Sequence, residues 1–417
     1  MDFTYLKSKF NHNGELIFWE ENKSISIIPT KLMELYESYG FNKVKRDTDS
    51  YIWVNVQDNI IREVGKGDLI DFIRTYLEHF GRANVIDEIF KKPKLTSEML
   101  KWIISAELDI QRDTKDTVYL YFQNGFVQIS KVGFDFKPYT ELKKPIWESS
   151  ILERNFDPTA NADGDYKKSC FKMSNQDEDR FKCFQSFTGY LLSTYKDPSN
   201  SKLIFLTDKN AKTSTVANGG SGKSLYVTAL GKMRKVANLD GKRIKDRFNS
   251  WYFWQTVKTD TNIINIEDYD RKFPLEKFYP TLTNGIEIEH RGKATFTIPY
   301  SESPKMVATS NVGPNAVEGG STKRRLYEFE FSDWYNHYNR PIDEFGKRFF
   351  EDWDAAEWNK FDTFMIECVE TFLKDGLIQP EYFSYGDKEI ISETGSQFLA
   401  FADTYFVSGY REDKQSY

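Results

Sequence analysis

Leu203-Ile204-Phe205-Leu206 leads, past a polar stretch, into Gly219-Gly220-Ser221-Gly222-Lys223-Ser224, and this passage decides the fold. An apolar strand, a glycine-rich turn and a following helix free backbone N–H groups to face phosphate oxygens, and the positive helix end adds to the attraction. In such a loop Lys223 reaches the β and γ phosphates of ATP, and the Ser224 hydroxyl ligates Mg2+. The pattern G-x-x-x-x-G-K-[ST] wants glycine at 217, where the chain has Ala217, and the three glycines inside the loop supply the flexibility instead. Taken alone, the stretch also reads as a glycine-rich turn that happens to precede Lys-Ser.

Three further features lie downstream. Asn262-Ile263-Ile264-Asn265-Ile266 is an apolar strand that ends in Glu267-Asp268. Paired acids at the C-terminal end of a parallel strand sit where such sheets bind nucleotide, and they suit Mg2+ ligation and the orienting of an attacking water. An ordinary surface acid pair is the plainer reading. Lys305-Met306-Val307-Ala308-Thr309 is another strand, followed by Ser310-Asn311, and an amide there can hold the water and sense the γ-phosphate. Arg324-Arg325 precede the alternating strand Leu326-Tyr327-Glu328-Phe329-Glu330-Phe331. An arginine so placed can serve a neighbouring subunit's ATP as a finger worth about 10³–10⁵ in rate. Without that context it is a solvated pair beside an edge strand.

Between the acids and Asn311, Gly285-Ile286-Glu287-Ile288 and Phe296-Thr297-Ile298-Pro299 alternate around a turn near Arg291-Gly292. This is a hairpin signal, and its tip carries His290, Arg291 and Lys293. A positive tip on an acidic protein suits a phosphate backbone, or simply solvent.

Strands alternating with helices from Lys202 onward predict an α/β fold with a parallel central sheet. Residues 1–120 read as a mixed α/β region of unknown role, with short strands at Leu16-Ile17-Phe18-Trp19 and Tyr51-Ile52-Trp53-Val54 and a helix around Leu69–Leu77. Phe122-Gln123-Asn124-Gly125-Phe126-Val127 predicts a hairpin, residues 154–168 a polar loop, and Asp177–Tyr195 a helix. A helix is expected from Ser224 to Lys235. The expected division is 1–120, a collar-like helical region at 121–198, the sheet core at 199–335, and a short helical region with a tail at 336–417.

Composition narrows the classes. Lys and Arg number 57 against 63 Asp and Glu, a net charge of −6, so any nucleic acid must be met by a local patch. Cys170, Cys183 and Cys368 form no C-x-x-C pair, which predicts no zinc site and a reducing, cytoplasmic setting. The start, Met1-Asp2-Phe3-Thr4, has no signal-peptide pattern, and no apolar run is long enough for a membrane span.

Taken in order over roughly residues 200–375, GGSGKS, INIED, the basic-tipped hairpin, KMVATSN and RRLYEFEF resemble a superfamily 3 helicase of the AAA+ class. The likeness is to the poxvirus-type primase-helicase group found in phages and mobile elements. Phe122-Gln123-Asn124-Gly125 resembles the F-x-N-G segment preceding the ATPase of that group, and Asp352-Trp353 to Gly376-Leu377 its closing helical segment. The resemblance implies a P-loop AAA+ ATPase core, with Gly219, Gly220, Ser221, Gly222, Lys223 and Ser224 binding phosphate. Ser224, Glu267 and Asp268 would share Mg2+ and water-orienting roles. Asn311 would be the sensor, Arg325 the trans-acting finger with Arg324 second to it, and Lys293, His290 and Arg291 the DNA-contacting tip. It further implies a homo-oligomer, expected as a hexamer, whose hairpins line a central channel for single-stranded DNA, with a primase as a potential partner and the host cytoplasm as its place. Two departures are Ala217 and an insertion of Asp208 to Ala217. The residues themselves leave two other readings open: a non-unwinding AAA+ NTPase in defence or packaging, and a small-molecule kinase.

Overall fold

Strands buried on both faces need apolar residues at every position, and Leu203-Ile204-Phe205-Leu206 meets that demand. The computed structural model describes residues 7–45, 51–91, 97–209, 220–248, 251–288, 296–311, 313–314 and 320–379. The chain divides into two compact units, Met1–Gln111 with Lys137–Ile151, and Arg112–Phe136 with Leu152–Tyr417.

The second unit carries an all-parallel sheet of five strands: β1 (Leu203–Asp208), β2 (Val236–Asp240), β3 (Ile263–Glu267), β4 (Lys305–Thr309) and β5 (Leu326–Phe331). Their order is β2-β3-β4-β1-β5, so β1 lies between β4 and β5. Leu203 faces Met306 on one side and Leu326 on the other. The expected α/β core with a parallel sheet is therefore present. Around it pack α1 (Asp165–Met173), α2 (Glu178–Leu192), α3 (Lys223–Gly231) and α4 (Ala355–Asp375).

Helix α2 begins where Asp177 accepts from the Arg180 N–H at 2.8 Å, the capping geometry that satisfies an otherwise orphaned donor. Its Phe184 and Phe187 meet Phe329 of β5 and Tyr226 of α3 edge-on or tilted. Gly189 lies directly against the backbone of α4: a Cβ there would stand 2.7 Å from the Cys368 carbonyl carbon and overlap its oxygen. Backbone cannot swing aside as a side-chain tip can, so Gly189→Ala should destabilise the unit by at least about 1–3 kcal/mol. Urea unfolding checks this, and an unchanged midpoint would mean that the two helices do not approach so closely.

Several local expectations differ from what forms. The 154–168 stretch is not all loop, because α1 starts at Asp165, whose N–H is held by Glu357 Oε1 at 2.6 Å. Tyr166, Cys170 and Met173 give α1 a buried face among intervening lysines. Helix α3 stops at Gly231, short of Lys235, because the Lys235 carbonyl accepts from Asn262 and Ile263 N–H and turns the chain into β2. Residues 332–340 form a loop, and helix resumes only at Pro341–Phe345. The Phe122–Val127 hairpin is present, with Phe122 facing Gly125. Its Asn124 side chain donates to Phe156 O at 2.9 Å and accepts from Phe156 N–H at 3.0 Å, tying the hairpin to the next segment.

The first unit is built on a four-stranded sheet, Phe41–Lys45, Tyr51–Gln57, Ile60–Val64 and Ile146–Trp147 in that order. Asp58 and Asn59 turn the second strand into the third with positive φ of 52° and 63°, the primed-turn geometry that matches strand twist. Helix Lys66–His79 buries Leu69, Phe72, Ile73, Tyr76 and Leu77. The strand expected at Leu16–Trp19 begins only at Trp19, since the Leu16 N–H is taken by the Tyr76 hydroxyl.

Candidate nucleotide site

In an open parallel sheet, ligands bind beyond the strands' carboxyl ends, where connections from one strand and its neighbour leave in opposite directions. Strand β1 is at that point here, and its C-terminal residue Asp208 is followed, beyond the insertion, by the glycine loop and α3. Gly222 caps α3 with φ +100°, a conformation side chains other than glycine's rarely adopt. A Cβ there would also stand 2.5 Å from Met173 Cε. The first N–H groups of α3 have no partner one turn earlier in the helix, which is what makes such an end a phosphate receptor.

Lys223 is the first residue of α3 and is 8% exposed. Its ammonium forms an ion pair with Asp208 and donates to Asn311 Oδ1 at 3.2 Å and Ser221 Oγ at 3.3 Å. The Ser221 hydroxyl also donates to Asp208 Oδ1. The other oxygen, Asp208 Oδ2, is buried and has no hydrogen-bond partner among the described residues. Burial pushes the Lys223 ammonium below the usual lysine range, while the Asp208 and Asp268 carboxylates pull it back up. A buried cation held by one carboxylate, an amide oxygen and a hydroxyl can exchange those partners for phosphate oxygens.

Glu267 and Asp268 follow at the end of β3, both exposed. Asp268 has φ +52°, and its N–H points to Thr309 Oγ1 at 3.4 Å, while Tyr269 N–H donates to the Thr309 carbonyl at 2.8 Å. These bonds tie the acidic turn to Thr309 at the end of β4, two residues before Asn311. Asp268 pairs with Lys242 at 2.7 Å, and that interaction raises the Lys242 ammonium above its ordinary range. Ser224 is exposed on the first turn of α3. The structure thus brings Ser221, Lys223 and Asn311 into direct contact, with Asp268 in electrostatic range of the lysine.

The arginines are elsewhere. Arg324 and Arg325 end the short helix Gly320–Arg325, which enters β5 at its N-terminal end, whereas the glycine loop follows the C-terminal end of β1. Six paired residues separate the two ends, about 17 Å at ~3.3 Å per residue. Arg325 lies 5.2 Å over the Tyr279 ring and donates to Ser321 Oγ, one turn earlier on its own helix, at 2.6 Å. Arg324 is exposed, with Nε on the Gly320 carbonyl at 3.2 Å.

The hairpin strands Ile286–Ile288 and Phe296–Ile298 pair antiparallel, Ile286 with Ile298. Gly285 at their base has φ +87°, and a Cβ there would stand 2.5 Å from the Ile298 carbonyl oxygen. His290, Arg291 and Lys293 lie outside the described residues, as does Gly219.

The sequence pattern did not mark Asp208 as part of the site; there it stands only as the start of the insertion. The available signal was a carboxylate closing an otherwise apolar buried strand. The donor set suits a nucleotide with its magnesium: a lysine, a helix N-terminus and a hydroxyl for phosphate, with oxygen ligands alone for a hard cation. No group of three or more His, Cys, Asp or Glu that could hold a metal occurs among the described residues. No helix among the described residues is long and apolar enough to cross a membrane.

No family model and no curated protein matches the chain. Among solved structures it is similar to an apo structure of the NrS-1 C-terminal region, at 13% identity and a TM-score of 0.45, covering 92% of this chain and 78% of that one. An A-form apo structure of the same region matches at 11% identity and a TM-score of 0.41, covering 88% and 75%. Likeness at this level assigns no family.

Proposed function

We propose that the chain is an ATP-dependent DNA helicase of the superfamily 3 type, acting as a hexameric ring on single-stranded DNA in the replication of a phage or mobile element. The observation that carries the ATPase part is the contact of Lys223 with Asn311, which joins the glycine loop to the end of β4 beside β1. In this reading Lys223 and the α3 N-terminus hold the phosphates, and Ser224 with Glu267 and Asp268 hold Mg2+, which would neutralise charge on the phosphates. Glu267 or Asp268 orients the attacking water and accepts its proton, and Asn311 holds that water and senses the γ-phosphate.

The position of Arg324 and Arg325 supports an oligomer. At about 17 Å from the carboxyl end of β1 they are out of reach of their own subunit's phosphates, so service as a finger requires a neighbour. A monomeric small-molecule kinase has no use for such a pair.

The test is strand displacement on a forked duplex with ATP and Mg2+, alongside hydrolysis with and without single-stranded DNA. The expected result is DNA-stimulated hydrolysis and unwinding. Hydrolysis without unwinding would leave a non-unwinding NTPase, and phosphoryl transfer to a small acceptor would leave a kinase. Lys293→Ala is expected to weaken single-stranded DNA binding and to flatten its salt dependence by about 0.7 in the log–log slope for each phosphate no longer neutralised. Unchanged DNA binding and salt slope would remove the hairpin tip from the interface.

A further inference from the structure

The loop that follows β5 has a construction that the phosphate site leaves unexplained. Asn336 lies against the glycine loop: a Cβ on Gly220, which has φ +107°, would stand 3.4 Å from the Asn336 carbonyl carbon and 3.6 Å from the His337 nitrogen. The loop is tied down on its inner side. Tyr335, 1% exposed, shares its hydroxyl with Ser169 at 3.1 Å and Glu344 at 3.0 Å. The Asn336 side-chain oxygen accepts from Tyr338 N–H at 2.9 Å and Asn339 N–H at 3.2 Å, and Asn339 Nδ2 donates to the Trp334 carbonyl at 2.9 Å. Its outer side is aromatic and open. Tyr338 is 85% exposed, and His337 packs on it with ring centroids 3.6 Å apart.

A flexible loop that exposes a tyrosine needs no explanation, since single apolar groups at surfaces are ordinary. A loop whose backbone is fixed by its own asparagines, which sets an aromatic pair beside a phosphate-binding turn, has already given up the entropy that a binding surface must otherwise lose when its ligand arrives. We propose that this loop receives the base of the bound nucleoside triphosphate, with Tyr338 as the stacking ring and His337 backing it. The inference rests on the phosphate-site reading of Lys223 and adds the subsite for the rest of the nucleotide. Stacking reads the area of a π face rather than its hydrogen-bonding edge, so the site takes purines over pyrimidines and discriminates little between ATP and GTP.

The experiment is equilibrium binding of ATP, GTP, CTP and inorganic tripolyphosphate to the wild-type chain, Tyr338→Ala and Tyr338→Phe. The exposed side chain makes the alanine variant safe for folding. Tyr338→Ala is expected to raise Kd for ATP and GTP roughly 10-fold, at the scale of one base–aromatic stack, and to leave tripolyphosphate unchanged. Tyr338→Phe is expected to bind as wild type. Equal ATP affinity in wild type and Tyr338→Ala overturns the proposal while the phosphate site stands. Loss of tripolyphosphate and ATP affinity together overturns it too, since the ring would then shape the loop rather than meet a base. A Tyr338→Ala defect confined to single-stranded DNA binding overturns it by assigning the ring to the DNA. Wild-type binding of ATP and tripolyphosphate that is unaffected by Lys223→Ala removes the phosphate-site reading and this one with it.

Discussion

Lys223→Ala is expected to reduce ATP hydrolysis by at least about 10²–10³-fold, the scale seen when one preorganised donor to developing charge is removed. The same change should also destabilise the fold, because Lys223 is the cation paired with Asp208 inside the unit. Removing one member of a buried pair leaves the other's charge without compensation, at about 3–5 kcal/mol, and the Ser221 hydroxyl that still donates to Asp208 places this case at the lower end. Two effects of one substitution are easily confused, and Asp208→Asn separates them. The double variant Lys223→Ala with Asp208→Asn should recover most of the unfolding midpoint in urea and none of the hydrolysis. Full hydrolysis in Lys223→Ala would end the nucleotide-site assignment. A single variant as stable as wild type would show that the ion pair does not hold in solution, whatever the activity does.

The parallel sheet was legible because β1, β3 and β4 are buried at nearly every position and centre on apolar residues, Leu203 to Leu206, Ile263, Ile264 and Ile266, and Met306 to Ala308. Strand β2 was not, since Val236-Ala237-Asn238-Leu239-Asp240 lies at the sheet edge and alternates buried with exposed residues, mixing its signal with polar neighbours. Helix α1 was hidden for a related reason: its buried Tyr166, Cys170 and Met173 are interrupted by Lys167, Lys168 and Lys172, which break up the apolar signal. At the site, Lys223 and Asn311 were legible because each belongs to a short local pattern. Asp208 was not, because its role exists only through pairing with a lysine fifteen positions on, and ordinary acids end many strands. The approach of Asn336 to Gly220 is a tertiary event with no local signature at all.

The largest expected effect on stability away from the glycine loop is at Arg154. Its guanidinium grips Asp362 of α4 with both prongs, Nε to Oδ2 at 2.8 Å and Nη2 to Oδ1 at 2.6 Å, and donates to the Lys232 carbonyl at the end of α3 at 3.0 Å. It also lies 4.7 Å over the Trp358 ring. Asp362 is fully buried, and burial raises its carboxyl above the ordinary range even with Arg154 pulling it down. Arg154→Ala therefore leaves a buried carboxylate with its principal donor gone, and the expected loss is about 3–5 kcal/mol in urea unfolding. The pH dependence has a definite sign. A carboxyl whose folded pKa exceeds its unfolded value binds more protons when folded, so its contribution to stability falls as pH rises through that interval. Removing Arg154 widens the interval upward. The deficit of Arg154→Ala relative to wild type should be greatest near neutrality and shrink as pH falls toward the unfolded Asp range. Arg154→Met with Asp362→Leu removes both charges and keeps the bulk, so it should restore most of the lost stability and flatten that pH dependence. A deficit of Arg154→Ala that stays constant with pH would instead trace the loss to the packing of the guanidinium on Trp358, because packing carries no proton.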